Sequence, residues 1–146
     1  MAKDYDPPMH TAEHVLNQTM VRMFGCERCF SAHLNKKKSK CDYRFSHPLN
    51  DAEIQEIEKR VNEQLRASLP VREEVLDKSA AAARFNLGKL PDDSIQTIRI
   101  VHIGDYDACP CIGEHVANTA EVGTFSIISH DYADGILRLR FKLLEQ

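Results

Sequence analysis

The sequence predicts an α+β fold, a single domain over residues 1–146 in which a largely antiparallel sheet is packed with helices. Three observations carry this reading. Leu137, Leu139, Phe141 and Leu143 alternate with Arg138, Arg140 and Lys142, the pattern of a half-buried strand with a basic outer face. Ile54, Ile57, Val61 and Leu65 recur at helical spacing behind Asn50 and Glu53, which read as a capping box. Helical and extended segments do not alternate regularly along the chain, so repeated strand–helix–strand units are not expected.

The elements follow in order. Residues 1–8 end in Pro7-Pro8 and form a lead-in. A helix is expected from His10 to Phe24, with Leu16, Met20 and Met23 on its apolar side and Gly25 as its stop. Cys29–Leu34 and Cys41–Ser46 read as two short strands joined through the polar NKKKSK stretch, a hairpin with a long tip. The capped helix runs from about Asp51 to Ser68. A strand near Val71–Leu76 and an alanine-rich helix near Asp77–Phe85 follow, ended by Gly88 and Pro91. Ile95–Ile103 is rich in β-branched residues and reads as a buried strand. Thr124–Ser129 is a further strand before the last one.

Bulk properties narrow the function classes. The 146 residues are 42% apolar and 28% charged, an ordinary balance for a soluble globular domain. No apolar run approaches the roughly 20 residues that cross a bilayer, and the N-terminus lacks the apolar core of a signal peptide. A cytoplasmic protein with no membrane partner is expected. There, five cysteines point to metal binding or burial rather than to disulfides. The net charge of −3 argues against broad nonspecific nucleic-acid binding while leaving room for a local basic patch.

His10 and His14 lie four apart on the first predicted helix, so their rings share one face. Cys111 and His115 sit close together in CIGEHV. Histidines with one cysteine make a good zinc set, because zinc is borderline-soft and accepts imidazole and thiolate in a tetrahedron. An all-cysteine site from Cys26 and Cys29 (CERC) with Cys109 and Cys111 (CPC) is the rival, although CPC has one intervening residue where two to four are usual.

The HTAEH run at His10–His14 and the distant CIGEHVANTAEVGTFSI run resemble the editing domain shared by alanyl- and threonyl-tRNA synthetases, and the alanyl-tRNA editing proteins related to it. The resemblance extends from about Met9 to Phe141, through SAHL at Ser31–Leu34, IEKRVNEQL, KLPDD, IRIVHIG and DGILRLR. It implies a zinc ion held by His10, His14, Cys111 and His115. It implies hydrolysis of a wrongly attached serine or glycine from tRNA for alanine, in a minimal form without the glycine-rich domain of longer editing proteins. The family usually reads CGGTHV where this chain has CIGEHV, so Ile112 and Glu114 are departures beside the metal.

Ester hydrolysis needs a positioned water, a proton acceptor and donors for the developing oxyanion. Glu114, between two candidate ligands, is the expected catalytic carboxylate, ahead of Glu13, which reads as an exposed first-turn acid. Thr11, Ser31, His33 and Ile112 are candidate substrate contacts. Lys36, Lys37, Lys38 and Lys40 on the hairpin tip, with Arg138 of the last strand, are candidate tRNA contacts. Two other functions fit the same residues: a zinc-containing module that binds tRNA or an amino acid without hydrolysis, and a zinc hydrolase of another small ester or amide.

Overall fold

A computed structural model describes residues 6–85 and 96–144. The expected stop at Gly88 and Pro91 and the KLPDD run lie outside the described residues. Helix α1 spans Pro7–Phe24. It starts three residues earlier than expected because the Asp6 side chain accepts from the Met9 N–H and Pro7 and Pro8 fit the first turn. Gly25 closes it at φ 68°, a left-handed conformation natural to glycine. Strands β1 (Ser31–His33) and β2 (Ser39–Arg44) form the predicted hairpin. Helix α2 (Asp51–Arg66) has the capping box: Asn50 accepts from the Glu53 N–H while Glu53 accepts from the Asn50 N–H.

Strand β3 (Val71–Asp77) leads into α3 (Lys78–Arg84), capped by Asp77. Strand β4 (Thr97–Ile103) turns into β5 (Asp107–Pro110), a short strand that lacks any alternating pattern and was not expected. After a single 3₁₀ turn at Thr119–Glu121 come β6 (Thr124–Ala133) and β7 (Ile136–Leu144). β6 runs four residues past its predicted end, because its partner β7 continues to pair with it through Ala133.

All strand pairing is antiparallel, as expected for an α+β fold, but it forms two sheets. One has the order β1-β2-β7-β6 and the other β3-β4-β5. On β7, Leu137, Leu139 and Phe141 are buried, and on β2 so are Cys41 and Tyr43, against α1 and α2. Met9, Leu16, Met20, Ile57, Val61 and Leu65 supply the helical side of this core. The smaller sheet buries both faces of β4. Ile98 and Ile100 pack with Ala81 of α3, and Ile103 joins the main core. Burial on both sides explains why Ile100, Val101 and Ile103 place β-branched residues on both faces of this strand, where alternation would mark a half-exposed one. No described helix is long and apolar enough to cross a membrane.

Candidate metal centre

Helix α1 delivers His10 and His14 from one face, one turn apart, as their spacing requires. The segment after β5 delivers Cys111 and His115. One donor atom from each of the four lies within 4.8 Å of the other three. Both α1 histidines are buried, and the His10 and His115 rings stack at 4.1 Å.

Two of the three imidazoles are fixed by a hydrogen bond on the outer nitrogen, and the third faces a buried carboxylate. His10 Nδ1 lies 3.2 Å from the Glu114 backbone oxygen. A carbonyl can only accept, so His10 carries its proton on Nδ1 and turns Nε2 toward Cys111 Sγ, 3.3 Å away. His115 Nδ1 is 2.9 Å from Thr11 Oγ1, and its Nε2 is 3.6 Å from the same sulfur. His14 Nδ1 is 3.5 Å from Asp107 Oδ2. That is ion-pair range but beyond a good hydrogen bond, and Nδ1 is a buried atom without a hydrogen-bond partner among the described residues. Two imidazoles with bonded outer nitrogens and a third beside a buried carboxylate, gathered with one sulfur, are the surroundings a metal centre needs.

The electrostatics favour a thiolate at the centre. Burial by itself would raise the Cys111 thiol, but His10, His115 and His14 outweigh it and bring it down to about 3. Burial would lower His14, but Asp107, Cys111 and Glu13 together lift it to about 9. Burial pulls His115 down. Asp107 would be raised by its burial, yet His14 and Arg28 hold it well below the usual carboxylate range. Cys109, by contrast, is pushed up to about 11 by burial. Of the two cysteines in CPC, Cys111 alone has the character of a ligand. The donor chemistry and supports fit a tetrahedral zinc or similar divalent ion.

Sequence reasoning missed the groups behind this cluster. Asp107 has no exposed side-chain surface, and Arg28 grips it at 2.7 and 3.3 Å while Gln18 donates to it at 2.8 Å. Arg99 donates to the backbone oxygens of Cys111 and Gly113, at 2.9 and 2.8 Å, and so fixes the loop that carries Cys111. The Asp107 contacts join residues far apart in sequence, and although Arg99 lies in the IRIVHIG run, nothing in that run shows which carbonyls it would meet. Asp107 borders the CPC run, but β5 had to be visible before its direction had meaning.

Several expectations are corrected. Glu114 is exposed and meets the cluster through its backbone oxygen, so it is not the pocket carboxylate. Its neighbour His115 turns into the cluster while the Glu114 side chain faces outward. Glu13 takes that place: its side chain is 12% exposed, with Oε1 3.8 Å from His10 Nε2 and 3.9 Å from His14 Nε2. A 100° offset from His14 along α1 leads not to solvent but to the wall of the adjoining cavity. Thr11 is wholly buried and holds His115, also accepting from the Val116 N–H at 3.3 Å. Ser31 pairs with Asp42 and His33 with Lys40. Both therefore share the face of Arg138 and Arg140, away from the core side that carries Cys41. Ile112 is 94% exposed at the rim of the cavity and does not fill it. Lys36, Lys37 and Lys38 are exposed on the hairpin turn, as the sequence implied. Arg138 is clamped on Asp42 at 2.7 and 2.9 Å.

The cavity beside the centre has a volume of about 710 Å³, and its lining includes Cys26, Cys29, Cys109 and Cys111. These four do not form a metal site. Among the described residues, Cys111 groups with the histidines, while Cys29 groups with Cys41 and Glu13.

Comparison with known proteins agrees with the sequence resemblance. Residues 98–140 match the threonyl and alanyl tRNA synthetase second additional domain. Over 138 residues, 90% of this chain, it is 32% identical to an alanine–tRNA ligase of Aeropyrum pernix. It is 31% identical over 132 residues, 89% of the chain, to the ligase of Caldicellulosiruptor saccharolyticus, and 35% identical over 126 residues, 82%, to that of Leptospira biflexa. The chain spans 15%, 15% and 13% of those three relatives.

Proposed function

We propose that this chain, which is similar to the second additional domain of threonyl and alanyl tRNA synthetases, is a zinc-dependent aminoacyl-tRNA deacylase that hydrolyses seryl- or glycyl-tRNA for alanine. The single observation that carries the reading is the convergence of His10, His14, Cys111 and His115 beside a cavity, in a chain aligned over 90% of its length with an alanine–tRNA ligase. On this reading residues 1–146 act as one editing unit, in the cytoplasm where charged tRNA is made and used.

His10, His14, Cys111 and His115 would hold the zinc. When bound, zinc supplies Lewis acidity, for a carbonyl oxygen or for a water that must lose a proton near neutrality. The chain's own residues do the positioning. Thr11, Asp107 and the Glu114 carbonyl hold the three imidazoles, so the donor set is arranged before substrate arrives. Arg99 holds the loop on which Cys111 lies. The cavity is large enough for an aminoacyl group and the terminal ribose it is attached to. Exposed Ile112 at its rim leaves that volume open. Lys36, Lys37 and Lys38 are the candidates for salt-sensitive contact with tRNA phosphates. Arg138 is a weaker one, since Asp42 already occupies its guanidinium.

Selectivity is hardest against alanine, which lacks only the hydroxyl of serine. A buried polar group that bonds this hydroxyl would be left unpaired by alanine. Single-turnover deacylation of seryl-, glycyl- and alanyl-tRNA for alanine tests the proposal. Acceleration of the first or second, with the third spared, is expected of zinc-loaded protein and is lost in metal-free protein. No acceleration of any of them by protein carrying its zinc would reject the deacylase reading.

A further inference from the structure

The cavity contains one carboxylate to which the zinc centre gives no task. Glu13 is held through Oε2, which accepts from Asn17 Nδ2 at 3.2 Å and from Cys29 Sγ at 3.5 Å. Asn17 is itself fixed, its Oδ1 accepting from the Cys29 N–H at 3.2 Å and the Tyr43 hydroxyl at 2.7 Å. These bonds leave Oε1 aimed at the donor cluster, 3.8 Å from His10 Nε2 and 3.9 Å from His14 Nε2. The side chain lines the cavity and is 12% exposed. A carboxylate this far from water has to be offset by a cation or by several hydrogen bonds. Arg28, the arginine of the same cavity, is committed to Asp107, and the groups in ion-pair range of Oε1 are the Nε2 atoms of His10 and His14, which a bound metal would take. Glu27, the other acid in the lining, is exposed.

We infer that Glu13 receives the α-ammonium group of the aminoacyl ester. The inference rests on the proposed deacylase reading and names how that site would recognise its substrate class. Aminoacyl esters carry an ammonium, primary in all but prolyl esters, on the carbon next to the scissile carbonyl, about 2.5 Å from the carbonyl carbon. A carbonyl held at the His–Cys cluster therefore brings the ammonium into the range of Oε1. The resulting charge-assisted hydrogen bond is stronger than a neutral one. It also sets a boundary on substrates. A peptidyl or N-acylated ester presents a neutral amide, whose single N–H can donate to the carboxylate but brings no charge to balance it and adds the bulk of the acyl group. The device would confine the site to free aminoacyl esters, and it acts independently of the side chain that distinguishes serine from alanine.

The test uses the full zinc-loaded chain and adenosine analogues in which serine is joined to the ribose by a stable 3′-amide. One analogue has a free α-amine, one is N-acetylated, and one carries a hydroxyl in place of the amine. The wild type is expected to bind the free amine about tenfold or more tighter than either other form, the size expected of one charge-assisted bond. Glu13→Gln should erase this preference, while Glu13→Asp should keep part of it. Equal binding of the three forms by the wild type, binding of none, or a preference that survives in Glu13→Gln overturns the inference. Loss of a second equivalent of zinc in Glu13→Gln also overturns it, by assigning the carboxylate to a metal site with Cys29 and Cys41. The wild-type comparison stands even if Glu13→Gln does not fold. Discrimination among the analogues without deacylation of any mischarged tRNA would reject the enzyme and keep the amine receptor. Deacylation without discrimination would do the reverse.

Discussion

Two arginine–aspartate pairs in this molecule have nearly the same geometry and different consequences. Arg28 meets Asp107 at 2.7 and 3.3 Å behind the metal centre, and Arg138 meets Asp42 at 2.7 and 2.9 Å on the outer face of the four-stranded sheet. Asp107 has no exposed side-chain surface, whereas Asp42 keeps 10% and its arginine 37%. The two arginines are similarly exposed, 29% for Arg28 against 37%, so the difference lies in the carboxylates: one wholly removed from water depends on its partners, while one near the surface keeps solvent as an alternative. The inner pair also has a third member, His14, through which it reaches the cluster. The same chemistry thus positions a metal ligand in one place and joins two strands in the other.

The largest expected effect is on the inner pair. Asp107→Ala should destabilise the metal-free protein by about 2 kcal/mol, because Arg28 and Gln18 both lose a fully buried acceptor. Zinc affinity should fall by about tenfold to a hundredfold as His14 loses its support. Urea unfolding and chelator competition measure the two. A loss below about 1 kcal/mol would make the inner pair equivalent to the outer one.

Next is proton linkage at the centre. In the metal-free protein Cys111 is already a thiolate near neutrality, while His14 holds its proton up to about 9. Zinc must displace the His14 proton, so affinity should rise about tenfold per pH unit through neutrality and level off near 9. Calorimetry in buffers of different ionisation enthalpy should find about one proton released per zinc at pH 7 from this group. Release of none would mean that Asp107 does not hold His14 charged.

On the exposed side, replacing Lys36, Lys37 and Lys38 with Ala should weaken tRNA binding and lower its salt dependence, by about one unit of slope for each phosphate that is no longer neutralised. The single-turnover rate at saturating protein should not change. An unaltered salt slope would reduce the cluster to a solvated turn.

The smallest effect is expected at the outer pair. The Arg138 hydrogen bonds hold the Asp42 carboxyl below its ordinary value. A depressed carboxyl stabilises the fold above its unfolded pKa of about 3.9, and that stabilisation is lost as pH falls through the lower folded value. Arg138→Met should therefore flatten the acid limb of the stability profile, with a loss of at most about 1 kcal/mol at neutral pH that disappears as Asp42 is protonated. An effect at neutral pH as large as that of Asp107→Ala would erase the contrast between the two faces.

By itself the sequence determined what local physics controls. The spacing of Ile57, Val61 and Leu65 set α2, Asn50 with Glu53 set its start, and the alternation through Phe141 set β7. His10 and His14 share a face because a helix turns every 3.6 residues, so half of the cluster was legible before any long-range contact was known. The tertiary structure decided the rest. β5 is too short to show a period, and β4, buried on both sides, shows none, so the division into two sheets follows from pairing alone. It also decided between the two acids beside the ligands. Helical geometry gives the angle of Glu13 relative to His14 but not what stands in that direction. Asn17, Cys29 and the cavity wall turn a first-turn carboxylate inward, while the segment after β5 puts Glu114 outside. Asp107 and Arg99 act on His14 and Cys111 across long stretches of chain. Contacts of that kind exist only once the core has brought α1, β4 and β5 together.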